Sequence, residues 1–503
     1  MKHNIKYILS VCIGIALTMG LSAQTLNSSY FMEKMTKRNQ LNPALKTPNG
    51  YVSFPALGNF YLGVNSNLGL GTFLYPRGNE LVTFLHPSVP ADDFLGKLTP
   101  NNTVELDLGL DIISFGFWAW GGQNTFNLAL KSYSGAYMPK EIFQFLKTGQ
   151  KETGITRYDM SNITVSTDNY VELALGHARD INDKLGVGAK VKVLVGAAHA
   201  EARIDRMDIS MSQDEWFIKQ AGHIQASSLL KLETDPETGE ITDYDTGDFG
   251  VAGFGLGFDL GATYELIDNL TLSAALTDIG FMQWNNLTRG ETDPTKEFRY
   301  TGFDNIGAED DEEGNNPFDD KADELGDDLE ALAKFYKSDS QSVTNSLRTT
   351  MRIGAEYSIL DNHISFGLLS TTRFGGHRTY AEGMAAVNFR PLSALHITLN
   401  GSVSNMGSSV GAILNVCAPG FNLFFGTDYF ATKYSKQFIP INHARANFCF
   451  GINFTFGKNT KYKNVKHNRL KKFQTAVHNK TTAHAEQRSE IVHKTFRAAS
   501  LFS

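Results

Sequence analysis

Apolar residues in this chain recur with a period of two, in runs of about ten or more residues. Val187, Ala189, Val191, Val193 and Val195 interleave with Gly188, Lys190 and Lys192, so one side of the segment is apolar and the other carries two cations. The pattern returns with Leu347, Met351, Ile353, Ala355, Tyr357 and Ile359 against Arg348, Thr350, Arg352 and Glu356, and with Ile397, Leu399 and Val403 against His396, Thr398, Asn400 and Ser402. It is clearest in the last run, where Ala444, Ala446, Phe448, Phe450, Ile452, Phe454 and Phe456 alternate with Arg445, Asn447, Cys449, Gly451, Asn453 and Thr455. Strands of soluble sandwiches average about five or six residues, whereas a tilted strand needs about ten to cross a bilayer. The length of these runs favours an all-β transmembrane barrel.

The beginning of the chain fits export. Lys2 and Lys6 precede an apolar run from Tyr7 to Leu21, and Leu21-Ser22-Ala23 offers a small residue for cleavage ahead of Gln24, so residues 1–23 read as a signal peptide. Past it there is no apolar run long enough for a membrane helix. A mean hydropathy of −0.23 does not conflict with a barrel, which shows lipid only alternate residues. Cys417 and Cys449 are the two cysteines after the signal, too few for a disulfide framework or a cysteine metal cluster; a single bridge between them stays open.

Connector lengths give a second, independent indication. Short connectors fall at 121–124, 180–184, 267–269, 360–362, 391–394 and 419–420, and the largest of the others at 134–168, 200–249 and 285–345. Short periplasmic turns and long external loops are the asymmetry of outer-membrane barrels. Strands placed between these connectors, from residue 60 to residue 457, number about 14, in an up-and-down antiparallel order. If the apolar series face lipid, then Glu105, Asp107, Asp111, Lys190, Lys192, Asp259, Arg348, Arg352, Glu356 and Arg445 project into the lumen. Trp118, Trp120, Trp284, Tyr429 and Phe430 near strand ends suggest an interfacial aromatic belt. Gly253, Gly255 and Gly257 form one face of a strand and suggest a place where plug or lumen groups approach closely.

Asn42-Pro43-Ala44, the stretch Gly50-Tyr51-Val52-Ser53-Phe54-Pro55-Ala56-Leu57, and Asp183-Lys184-Leu185-Gly186-Val187-Gly188-Ala189-Lys190 resemble the Bacteroidetes-type outer-membrane barrel family of unknown function. The Asn-Pro-Ala triplet is also similar to the start of the wider FadL-like group, which includes hydrophobic-compound channels and the PorV-type secretion shuttle. The resemblance covers roughly residues 25 to 457 and implies 14 strands with an N-terminal plug. Residues 24–59 are then either a plug inside the lumen or a periplasmic arm. No ligand residue carries over.

Two segments stand apart from the barrel. Within the external connection at about 285–344, residues 304–330 carry 13 acidic side chains. Glu309, Asp311, Glu313, Gly314 and Asp320 there fall at positions 1, 3, 5, 6 and 12 of a calcium-loop template, with Glu and Asp exchanged at the two ends; a solvated acidic loop is the plainer reading. Leu325, Leu329, Leu332 and Phe335 suggest a short amphipathic helix after it. Residues 458–503 hold eleven Lys or Arg against Glu486 and Glu490, a net +9, and read as a basic tail, either solvated or binding an anionic surface or acidic partner. Setting aside this tail and the two lysines of the signal, the chain's net −7 becomes −18 for residues 24–457.

Nothing here resembles a catalytic constellation: there is no Gly-x-Ser-x-Gly, no His-Glu-x-x-His and no phosphate-cradling glycine loop. The acidic balance gives no reason to expect nucleic acid. The functional expectation is an outer-membrane barrel in contact with lipid, without a cofactor, passing a small hydrophobic solute through a plugged lumen. The alternatives are a secretion shuttle or surface-assembly barrel holding periplasmic or secreted protein partners, and a structural or adhesive barrel.

Overall fold

The computed structural model describes residues 26–78, 80–228, 230–246, 250–302, 317–339, 342–376, 378–430 and 445–458. Fourteen wall segments follow in chain order. β1 is Asn49–Ser53 with Phe60–Ser66, β2 Asn101–Ala119, β3 Gly122–Pro139, β4 Ile163–Asp180 and β5 Leu185–Met211. β6 is Gly253–Ile267, β7 Leu270–Trp284, β8 Val343–Ser346 with Thr350–Ile359, β9 Ile364–Arg373 and β10 Tyr380–Leu392. β11 is Leu395–Ser404, β12 Gly407–Val416, β13 Phe421–Phe430 and β14 Arg445–Lys458. Each pairs antiparallel with the next. β14 returns to β1 through Gly50 opposite Phe456 and Leu62 opposite Phe448, so the sheet closes. Closure gives every wall strand two hydrogen-bonded neighbours and leaves no edge for lipid to meet.

The sequence boundary at residue 60 needs correction, because β1 starts at Asn49. Its two halves share the neighbours β14 and β2, and residues 54–59 form an excursion between them. That excursion stays bonded to both sides, with Phe54 N donating to Ile452 O at 3.0 Å and Ala56 N to Ile112 O at 3.1 Å. A broken alternation at Pro55 to Gly58 hides a strand whose backbone pairing is continuous in space.

The apolar members of the alternating series face outward. On β5 the exposed or half-exposed positions run from Val187 to Ala197, and on β6 from Phe254 to Tyr264. Ten residue steps along a tilted strand rise about 25 Å, the height of the apolar band of an outer-membrane barrel. Phe366, Leu368, Leu399, Phe425, Phe448 and Phe454 continue the band around the wall. Of the residues offered for an aromatic belt, Trp120 and Phe430 are exposed and the others are not. Trp284 is fully buried and stacks on His199 with centroids 5.1 Å apart, Tyr429 points inward, and Trp118 is half-buried with its indole N–H on Thr47 O at 3.1 Å. Strand ends lie close to both the membrane interface and the lumen mouths, so position along the chain alone does not choose between them.

The turns at one end are short, as at Trp120-Gly121, where both residues take positive φ (54° and 76°). That conformation suits the twist of a two-residue hairpin. At the other end, β5 continues well past Ala197 and pairs with the strand Trp216–Ser228, which in turn pairs with Leu287–Thr292 and Glu297–Tyr300. Much of the expected loops at 200–249 and 285–345 is therefore an external sheet. Outside lipid a strand has no need of an apolar face, so Glu201, Arg203 and Asp205 gave no strand signal. Nor is every external connection long, since β11 and β12 are joined by Asn405 and Met406 alone. The helix spans Pro317–Leu332, and Phe335 begins a strand beyond it. Of the calcium-loop template, Asp320 lies in that helix, while Glu309, Asp311 and Glu313 fall outside the described residues. The signal peptide and, beyond Lys458, the basic tail also fall outside them.

Candidate functional site

Residues 26–48 occupy the lumen. The segment makes a 3₁₀ turn at Asn27–Phe31 and one helical turn at Arg38–Leu41, and it is buried almost throughout although it is rich in Asn, Ser, Thr and Lys. Buried polar groups need partners, and the charged wall supplies them. Near the external half, Asn27 Nδ2 donates to Glu382 Oε2 at 2.7 Å and Ser28 Oγ donates to Asp428 Oδ1. Farther on, Lys37 pairs with Asp111, Lys190 Nζ donates to Asn39 Oδ1 at 2.7 Å, and Lys46 pairs with Asp180 by the short-turn end. Arg390 Nη2 donates to Phe31 O at 3.0 Å.

The Asn-Pro-Ala triplet anchors this segment. Asn42 is fully buried; its Nδ2 donates to Tyr30 OH at 2.8 Å and its Oδ1 accepts from Ala44 N at 2.9 Å. A Cβ on Gly188 would overlap Pro43, and one on Gly261 would overlap Asn42, so both wall positions need glycine for the plug to sit against β5 and β6. Of the glycines expected to admit plug or lumen groups, Gly257 lies against the lumen residue Lys192 and against Leu347, while Gly253 and Gly255 lie against wall neighbours such as Met282, and none of the three meets the plug. Close approach to the plug occurs four residues further along the same strand, at Gly261.

Two apolar clusters complete the seat. Leu26, Met32 and Met35 of the plug pack with Tyr61, Leu108, Ile413, Phe424 and Cys449 of the wall. Tyr30, Phe31, Leu41 and Leu45 pack with Leu369, Met384 and Ala386. The inner wall is thus part apolar, with its apolar areas covered by the plug. Cys417 and Cys449 are not bridged.

The ten charged positions singled out from sequence take the following places. Glu105 accepts from Tyr137 OH at 2.9 Å, and Asp107, fully buried, meets Arg348 at 3.3 Å and Arg373 at 3.5 Å. Asp111 holds Lys37 and accepts from Gln40 Nε2 at 3.3 Å. Lys192 gathers three carboxylates, Asp278 at 2.6 Å, Asp259 at 2.8 Å and Glu172 at 3.7 Å. Arg352 donates to Asn27 Oδ1 and Thr277 Oγ1, both at 3.3 Å. Glu356 accepts from Ser365 Oγ at 2.7 Å and Arg390 Nη2 at 3.1 Å. Arg445 donates to Tyr380 OH at 2.7 Å and Glu382 Oε1 at 3.2 Å, and its guanidinium lies 4.0 Å from the Tyr429 ring centroid. These side chains form several separate networks rather than one site.

Sequence reasoning missed Lys131, Glu172, Asp278, Arg373, Glu382, Arg390 and Asp428. The inward set on β10 is Glu382, Met384, Ala386, Asn388 and Arg390, in which apolar members that face the plug interrupt the polar series. Strand parity finds these positions once the register is known. Between plug and wall remains a cavity of about 70 Å³, lined among others by Asn27, Gln40, Lys131, Glu172, Lys192 and Asp259.

A closed 14-strand wall with an outward apolar band and a filled polar lumen is the fold of an outer-membrane barrel. The chain belongs to a family of unknown function, DUF5723, whose sequence pattern matches residues 43–428. No curated protein matches it. Among solved structures it is similar to the toluene transporter TbuX of Ralstonia pickettii (9% identity, 87% of this chain and 95% of that one, TM-score 0.40). A FadL homologue of Pseudomonas aeruginosa is similar at 10% identity (87% and 99%, TM-score 0.35), and the translocator domain of the Neisseria meningitidis autotransporter NalP at 7% (87% and 100%, TM-score 0.32).

Proposed function

We propose that this chain is an exported outer-membrane barrel that passes a small solute when residues 26–48 shift in the lumen, and that it does so without catalysing a reaction. The observation that carries the reading is the seat of the plug. Tyr61, Ile413, Phe424, Leu369 and Met384 present apolar surface inside the barrel, and the plug covers it with Leu26, Met32, Met35 and Phe31. A hydrophobic solute that takes the place of those side chains recovers the same burial, at about 25 cal/mol for each Å² removed from water. The charged remainder of the lining offers such a solute nothing, which favours a path along the plug's own seat.

A tether tests this. Ser28 and Asp428 touch through their side chains, so Ser28→Cys with Asp428→Cys suits a disulfide between plug and wall. In intact cells, entry of the apolar dye N-phenyl-1-naphthylamine should fall to the level of cells lacking the protein on oxidation and return on reduction. Entry that ignores the tether would overturn the reading.

The external sheet favours a second role, holding a secreted or surface protein. Leu81, Leu146, Ile155 and Trp216 are exposed at that end of the barrel, beyond the lipid-facing band. Stoichiometric cross-linking of one protein partner in whole cells, unaffected by the plug tether, would support this role over passage.

A further inference from the structure

The cavity between plug and wall has an unbalanced lining. Lys131, Lys190, Lys192, Arg348, Arg352 and Arg373 border it, against the carboxylates Glu172, Asp259 and Asp278. Those three carboxylates all lie on Lys192. Arg348 and Arg373 share Asp107. Among the described residues, Lys190 and Arg352 hydrogen-bond only to neutral oxygens, and Lys131 Nζ makes no direct hydrogen bond or ion-pair contact, although Glu172, Asp259 and Asp278 act on these cations from nearby. Cations inside a barrel without a carboxylate in direct contact are only partly compensated, and an anion in contact with all three completes the compensation.

Acceptors left over in the same cavity sharpen the identity of the anion. Asp259 is 1% exposed and its Oδ1 is taken by Lys192 and by Asp278 N–H, yet its Oδ2 has no hydrogen bond. Gln40 Oε1 and Asn127 Oδ1, which also border the cavity, have none either. An ion suited to both groups needs oxygens for the three cations and at least one O–H for Asp259. The volume of about 70 Å³ is several times the ~10–15 Å³ that one water requires, so it suits a small ion and excludes one with an organic substituent.

We infer that this cavity is a binding site for inorganic hydrogen phosphate, with Lys131, Lys190 and Arg352 donating to its oxygens and Asp259 Oδ2 accepting its O–H. Sulfate, which has the same shape and no proton at neutral pH, meets a carboxylate oxygen where phosphate offers a donor. A site with a buried acceptor rejects the ligand that leaves the acceptor unpaired.

The test uses the purified full chain in detergent at fixed ionic strength, with equilibrium dialysis of radiolabelled phosphate. One phosphate should bind per chain, sulfate should compete at least roughly tenfold more weakly, and glycerol phosphate should not compete. Lys131→Met should weaken phosphate at least roughly tenfold, as expected for loss of a charged hydrogen bond, while Lys131→Arg retains it. Asp259→Asn should act in the opposite sense on sulfate, tightening it until the two anions bind alike, a gain that a misfolded barrel cannot show. Equal binding of phosphate and sulfate by the unaltered chain, absence of saturable binding, or unchanged phosphate binding in Lys131→Met would each overturn the assignment.

Discussion

Glu382 illustrates at the residue scale how this barrel tolerates buried charge. One of its oxygens accepts from Asn27 of the plug and from Tyr429, and the other from Arg445, which like Glu382 is almost wholly buried. Removing one partner of such a pair leaves an uncompensated charge, whereas replacing both with apolar groups is often neutral. Glu382→Leu is therefore expected to lower barrel stability by about 3–5 kcal/mol in urea unfolding from lipid vesicles, and the double variant with Arg445→Met to recover most of that loss. Additive losses in the double variant would show that the two side chains act independently. Glu382 itself was not picked out from the sequence; where the alternation is clean, positions were legible and partners were not. Asp107, Arg348 and Arg352 could be placed on the inward face by parity alone. That Asp107 meets Arg348 and Arg373, 241 and 266 positions away, depends on how the sheet closes, which no local pattern encodes.

At the scale of the element, the external extension of β5 carries a titratable contact. His223 on the strand Trp216–Ser228 donates to or accepts from Glu201 at 3.1 Å and Asp205 at 2.7 Å, both on β5. The bond to Glu201, together with that to Asp205, raises its pKa above the ordinary 6.5, against partial burial and the opposing charge of Arg289. A raised histidine pKa means that the charged form stabilises the folded sheet. The contribution is full below about 6.5 and is lost as the pH climbs through the raised value. Limited proteolysis between β5 and this strand should thus quicken from pH 6 to pH 9, and His223→Gln should remove that dependence; a variant with the same pH profile would contradict it. The extension itself was not read from the sequence, because alternation is imposed by lipid and ends where lipid ends. Strands inside the band, such as β6 and β14, were legible for the same reason.

The whole molecule is governed by what fills its lumen. Asn27, Ser28, Thr36, Lys37 and Asn39 have the composition of solvated coil, and from sequence they fit a plug and an arm equally well. They are buried here because a charged wall gives Asn27, Ser28, Lys37 and Asn39 partners, and because Gly188 and Gly261 leave room for Asn42 and Pro43. The most direct test of this arrangement is the conductance of single barrels in planar bilayers, comparing the full chain with a variant that lacks residues 26–48. Both should show the shifted electrophoretic mobility of a folded barrel. The full chain should remain closed for most of the record, and the deletion should give a stable open channel. A full chain with a steady open channel, or a folded deletion variant that stays closed, would contradict the plugged lumen.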